Sequence, residues 1–238
     1  MPWDIWLIFF VLGVIVPWRG RVRLRHLLSK PTVESAERLS LYASTILFQW
    51  FAVAIAGWRA WAHGFSAEQL GLVLSDGVRL SVIAVLGAAF LAALQWLNLR
   101  RVGRMHTESR GQIQALAERI LPRTLRETIL FLALAVTAGV CEEFLYRGFA
   151  IGVFTRVGLP AWATVVVSSG LFGLAHLYQG RGGLVSSMIL GVLFGAVRLS
   201  YGSLLPVMSW HTAVDVVAGF AGPRYLIPQS TAARGENV

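Results

Sequence analysis

Apolar runs of nearly 20 residues recur along this 238-residue chain, and about that many are needed for a helix to cross the roughly 30 Å hydrocarbon core of a bilayer. In lipid the backbone must satisfy its own hydrogen bonds, which restricts spanning segments to helices and closed barrels. Runs this long suit helices. Charged residues make up only 14% of the chain against 56% hydrophobic, whereas a soluble domain carries about 25%. The sequence therefore specifies an all-α fold, a polytopic transmembrane helix bundle. Disorder and a collagen-like fibre are excluded by the same figures. A single cysteine, Cys141, excludes a disulfide scaffold.

About seven spans are expected, near 3–18, 39–60, 78–99, 127–157, 159–177, 184–201 and 203–222. The stretch 61–77 is mildly polar and suits a short interfacial helix. Residues 100–126 form the most polar segment, and Ile113, Leu116, Ile120 and Leu121 give it the pattern of an amphipathic helix on the membrane surface. Three regions follow: N-terminal spans with basic loops (1–126), a core that carries the chemistry (127–222), and a polar tail (223–238).

The net charge is +9. Its arginines collect between apolar runs, where the positive-inside rule puts them, so the charge implies a lipid bilayer as partner and no nucleic acid. Arg19, Arg21, Arg23 and Arg25 follow the first span, the reverse of a cleavable signal peptide. The expected topology has the N-terminus outside and both Arg-rich loops (19–38 and 100–126) cytoplasmic, in the cell (inner) membrane.

An ionisable side chain at the bilayer centre costs about 2.5 to 3.5 kcal/mol, so each one there is a candidate functional group. His26, His63 and His106 lie in polar loops and read as surface residues. Glu142, Glu143, Arg147, His176, Arg198, His211 and Asp215 lie in apolar spans. Glu143 and Arg147 stand at i and i+4, the favoured order for an acid and a base to pair. Glu142 is then about 100° round the helix and free to point elsewhere, and an apolar setting would make it a better proton acceptor. Both acids could instead serve only to bind Arg147 and lock helices together. His176 ends the run Phe172-Gly173-Leu174-Ala175-His176. His211 and Asp215 share a helix face at i, i+4, where the carboxylate could hold the imidazole's tautomer or both could ligate a metal.

Three spans thus bring ionisable groups into the apolar phase, where such groups converge on a shared cavity. Two acids, two histidines and an arginine suit amide hydrolysis better than ion conduction. The ordered set Glu142-Glu143 with Arg147, Phe172 with His176, and His211 with Asp215 resembles the CAAX protease and bacteriocin-processing family of intramembrane glutamic endopeptidases. The likeness covers about 127–222. It implies that Glu142 and His176 activate water, that His211 and the residue four further on stabilise the oxyanion, and that Glu143 and Arg147 are architectural. The substrate implied is a membrane-associated protein or peptide, with no cofactor. One departure stands out. The prenyl-processing branch has Asn where this chain has Asp215, and an ionised Asp cannot donate to an oxyanion. Asp215 must be protonated, orient His211 or do something else.

Rival chemistries use the same residues. Zinc could take Glu142, His176 and His211 as three ligands and leave a fourth position for water, although the resemblance favours a metal-free mechanism. Cys141 has no neighbouring imidazole to activate it. Ser168 and Ser169 lack an oxyanion loop, and only one Asp lies deep enough for an aspartyl dyad. A non-catalytic immunity factor, scaffold or small transporter could also keep the polar cluster.

One expectation conflicts with the motif. On a continuous fourth helix, Glu142 lies about 22 Å from the cytoplasmic end, whereas His176 lies near that end of a full-length fifth span. The two could not meet. The motif requires that they do, so the span boundaries after Arg126 are the part to revise.

Overall fold

The computed structural model describes residues 2–227, and among these there are helices and no strands. We label them α1 (Trp3–Leu28), α2 (Ser35–Ala62), α3 (Ala67–Leu70), α4 (Gly77–Gly103), α5 (Thr107–Ile120), α6 (Leu125–Arg156), α7 (Ala161–Ala175), α8 (Gly180–Tyr201) and α9 (Leu205–Leu226). Wide π-helical turns interrupt α1 at Val11–Ile15 and α6 at Phe144–Ala150. Most of the expected polar tail lies outside the described residues.

All seven expected apolar segments are helical, but only five helices have both the length and the apolar character to cross a bilayer: α1, α2, α4, α6 and Leu177–Tyr201. Among the described residues the expected count of about seven is therefore not confirmed. α7 has 15 residues, about 22 Å at 1.5 Å per residue and short of the hydrocarbon thickness. α9 has 22 residues, but Ser209, His211, Thr212, Asp215 and Arg224 dilute its apolar content. The outer surface is apolar, with Leu47, Phe51, Val85 and Phe90 all exposed, which fits it to lipid rather than water. Trp3, Trp61 and Trp162 are also exposed. They sit at the start of α1, the end of α2 and the start of α7, all at one end of the bundle, where interfacial anchors belong.

One apolar core joins the two halves of the chain. Ile5, Phe9 and Leu12 of α1 pack with Phe144, Leu145, Phe149 and Val153 of α6 and with Phe194 and Val207. Phe9 stacks on Phe154 at 4.8 Å between ring centres. α6 and α9 approach closely at Gly139, where a Cβ would run into the hydroxyl of Thr212 and lie 2.9 Å from the carbonyl oxygen of Met208. That contact fixes the depth of α9 against α6.

The interfacial helix expected within 61–77 turns inward. α3 carries a Ser66/Gln69 capping box, and Leu70 after it is buried. The carbonyls of Glu68 and Gln69 each accept from Arg198 Nη2 at 3.0 Å, and Leu204 N donates to the Gly71 carbonyl at 2.9 Å. This is why an arginine stands in α8. The surface helix expected in 100–126 is α5, with Ile113 exposed as expected and Ala117 and Leu121 packed inside.

The two Arg-rich segments lie side by side at one end of the bundle. Arg119 donates to the Leu27 carbonyl at 3.1 Å and the Lys30 carbonyl at 3.3 Å. Arg38 and Glu127 form a buried pair across α2 and α6, with Nε to Oε2 at 3.0 Å and Nη2 to Oε1 at 3.2 Å. At the opposite end Asp4 binds Arg59 and lies 2.9 Å from His63 Nε2. His63 is therefore not the plain surface residue expected: it ties α2 to the start of α1.

Candidate active site

Glu142 and Glu143 occupy the last α-helical turn of α6 before the π-helical turn that contains Arg147. Wide turns of this kind are often found at functional sites. Phe172 lies near the end of α7 and His176 just beyond it, while His211 and Asp215 lie on α9. All seven expected residues come together.

The depth conflict between Glu142 and His176 is resolved by the short α7. Glu142 lies 14 positions before Arg156, the last residue of α6, and His176 lies 15 positions after Ala161, the first of α7. In an antiparallel pair joined by a short turn, equal residue counts mean equal depth, here about 21 to 22 Å from the turn. The expected boundary had carried α7 across the full membrane. It stops where His176 must be.

His176 Nδ1 lies 2.9 Å from the carbonyl oxygen of Phe172. A carbonyl only accepts, so Nδ1 carries the proton and Nε2 presents a lone pair. Nε2 is 3.9 Å from Glu142 Oε2. The other oxygen of Glu142 accepts from Gln49 Nε2 at 2.6 Å. Gln49 was not among the expected site residues, although it is a lone amide in the middle of an apolar span, and the rule that such groups face a cavity applied to it.

Glu143 is completely buried and joins two partners. Its Oε1 accepts from Arg147 Nη1 at 3.0 Å and from His211 Nδ1 at 2.7 Å. Asp215 Oδ2 faces the other imidazole nitrogen at 3.6 Å, beyond a direct hydrogen bond. The Arg147 guanidinium stacks on Phe172, 4.0 Å from the ring centre, and a Cβ at Gly191 would come within 3.0 Å of its Nη2. Phe172 also packs against both imidazoles, at 4.5 Å and 5.9 Å between ring centres. One aromatic ring thus contacts the arginine and both histidines.

Glu142 and His176 line a cavity of about 260 Å³ that also reaches Gln49, Tyr146 and Tyr178. Its remaining wall is mostly apolar and is built from α1, α2 and α5 as well as α6. Four other candidate residues fall outside this arrangement. The hydroxyls of Ser168 and Ser169 are spent on the carbonyls of Tyr146 and Val165, each at 2.6 Å. Cys141 is fully buried, and Arg198 serves α3. For zinc, the nitrogens of His211 face Glu143 and Asp215, and Nδ1 of His176 is taken by a carbonyl. Among the described residues no three His, Cys, Asp or Glu side chains form a ligand set.

Fold and site define a class: a helical membrane protein with a carboxylate and an imidazole facing one another in a cavity at membrane depth. Residues 124–217 match the family described as type II CAAX prenyl endopeptidase Rce1-like, so the resemblance carried by the motifs is shown over this segment. The matched family is one of membrane-embedded peptide hydrolases. The match covers less than half of the chain but all seven site residues. No curated protein and no solved structure matches the chain.

Proposed function

We propose that this protein is an intramembrane endopeptidase that cleaves a membrane-associated protein or peptide, with water activated by Glu142 and His176. The observation that carries the proposal is the facing pair itself. Glu142 Oε2 and His176 Nε2 stand 3.9 Å apart on a cavity wall, a separation that lets one water reach both at ordinary hydrogen-bond lengths of about 2.8 Å. Glu142 takes the water proton as hydroxide attacks the scissile carbonyl, and the proton then passes to the leaving amine. Gln49 holds the glutamate in place through its other oxygen.

His211 is the candidate oxyanion donor. With Nδ1 committed to Glu143, only Nε2 can donate to a substrate oxygen, and this requires the imidazolium. Glu143 and Asp215 on either side supply the countercharge. Glu143 is thus more than architectural, because it sets which face His211 offers. No metal or other cofactor takes part in this reading. The protein resides in the cell (inner) membrane with its N-terminus outside and the Arg-rich end cytoplasmic.

The test is cleavage of membrane-anchored peptides by purified protein in lipid nanodiscs, together with comparison of membrane-fraction peptides with and without the protein. Glu142→Gln should abolish turnover, since the amide keeps the shape but cannot take the proton, while the melting temperature stays within a few degrees. Turnover by Glu142→Gln at the wild-type rate would overturn the reading in favour of a binding or scaffold role.

A further inference from the structure

We infer that Arg19 and Arg23 form an anion subsite that receives a carboxylate of the peptide substrate, a specificity element outside the segment that matches the protease family. The inference rests on the endopeptidase reading, because it gives an occupant to the same cavity that holds Glu142 and His176.

Four arginines follow one another at alternate positions in α1: Arg19, Arg21, Arg23 and Arg25. Setting the orientation of a span requires only that they lie at one end of it, and either helix face would serve. Yet Arg19 and Arg23 line the cavity, and Arg21 and Arg25 do not. The lining pair stands at i and i+4, where like charges repel by a few tenths of a kcal/mol. Arg23 is half-buried and Arg19 exposed, yet each guanidinium is in contact with α2. Arg23 Nη2 donates to Ser44 Oγ at 2.7 Å, and the Arg19 guanidinium lies 4.8 Å above the Phe48 ring. Ser44 and Phe48 are themselves i and i+4, so one face of α2 fixes both cations. Among the described residues neither arginine has a carboxylate partner. Elsewhere at this end, cations such as Arg38 and Lys30 are paired, with Glu127 and Glu37.

Two fixed, unpaired guanidiniums at one part of an apolar cavity, with a carboxylate and an imidazole at another, describe a binding site with a charge preference. Guanidinium pairs favour carboxylates through charge-assisted hydrogen bonds. A peptide placed across the scissile position extends along the same cavity, and an apolar stretch ending in a carboxylate matches its walls. The carboxylate is either the chain terminus or an acidic side chain.

The experiment measures binding of lipid-anchored, dye-labelled apolar peptides to the full chain in phosphatidylcholine nanodiscs. Matched probes end in a free carboxylate or a carboxamide, and a second pair carries an internal Asp or Asn before an amidated end. The Glu142→Gln protein serves for binding, so that failure of the chemistry is separated from failure of the subsite, and cleavage by the wild type is followed in parallel. The carboxylate probe of one pair should bind about tenfold tighter than its neutral partner, and which pair shows this names the source. Adding Arg19→Gln and Arg23→Gln together should remove the preference. Adding Arg21→Gln and Arg25→Gln makes the same charge change on the same helix and should leave it intact. Ser44→Ala, which frees Arg23 but keeps both charges, should reduce it a few-fold and serves should the double variant fail to insert. Equal binding of the probes, or a preference that survives in the Arg19/Arg23 variant, overturns the inference. Loss of probe binding when phosphatidylglycerol is added would assign the pair to a lipid phosphate and overturn it equally.

Discussion

His211 Nδ1 donates its hydrogen bond to Glu143, at 2.7 Å, and not to Asp215, its helical neighbour four residues on, whose carboxylate stands 3.6 Å from the opposite nitrogen. The second acid of the glutamate pair therefore links α6 to α9, and its bond to Arg147 is only half of its role. A site that looks like two separate i, i+4 pairs in one dimension is a chain in three: Arg147, Glu143, His211, Asp215.

Glu143→Gln should weaken both links at once. Arg147 would stay buried without a full countercharge, at a cost of about 3 to 5 kcal/mol, so thermal unfolding in detergent should shift down along with activity. Combining Glu143→Gln with Arg147→Met should recover part of the stability, because no unpaired charge remains, but not the activity. A double variant less stable than the two single losses summed would count against the pairing.

Asp215→Asn should keep activity within about tenfold of the wild type, the equivalent of about 1.4 kcal/mol, because Glu143 already fixes the imidazole. Steady-state cleavage assays decide this. Complete loss would mean that the negative charge of Asp215 is itself needed to hold His211 in its donor form.

Metal dependence is read in the same assay. Activity should persist after prolonged exposure to excess chelator, because His211 is turned to Glu143 and Asp215 and leaves only Nε2 of His176 open beside Glu142. Activity that dies in chelator and returns with Zn²⁺ would replace the glutamate mechanism with a metal-bound water.

Gly139→Val should separate α6 from α9. The added side chain meets Thr212 and the Met208 backbone, and overpacking of this kind costs typically about 1 to 3 kcal/mol. Activity should fall more steeply than stability, since Glu143 lies one turn beyond Gly139 and its partner His211 adjoins Thr212. A stable and fully active Gly139→Val protein would show that this contact does not set the site.

Arg38→Met should destabilise the protein by about 3 to 5 kcal/mol, since it leaves Glu127 buried and uncompensated. Arg38→Met with Glu127→Gln should restore most of that loss, measured by thermal unfolding. The pair lies away from Glu142, so the double variant should still cleave.

The sequence by itself determined the class of the fold and singled out most of the polar groups that gather at the candidate site, although Arg198, picked out by the same rule, binds α3 instead and Gln49 was overlooked. Apolar runs of spanning length leave the backbone no choice but helix, and charged groups within them must face one another, so Glu142, Glu143, Arg147, His176, His211 and Asp215 were legible as a set from the cost of leaving any of them in lipid. Pairing within a helix was legible too, because 3.6 residues per turn places Glu143 and Arg147 together. The tertiary structure alone decided which helix meets which, and at what depth. α7 has only 15 residues and so brings His176 level with Glu142; the end of the apolar run near 177 was legible, but the depth to which so short a helix carries His176 was not. His211 turns to Glu143 because Gly139 lets α9 approach α6, and Gln49 reaches Glu142 because α2 packs beside α6. Hydrophobic periodicity records which face of a helix is buried. It holds no record of the partner, which depends on crossing geometry and on small residues at the contact.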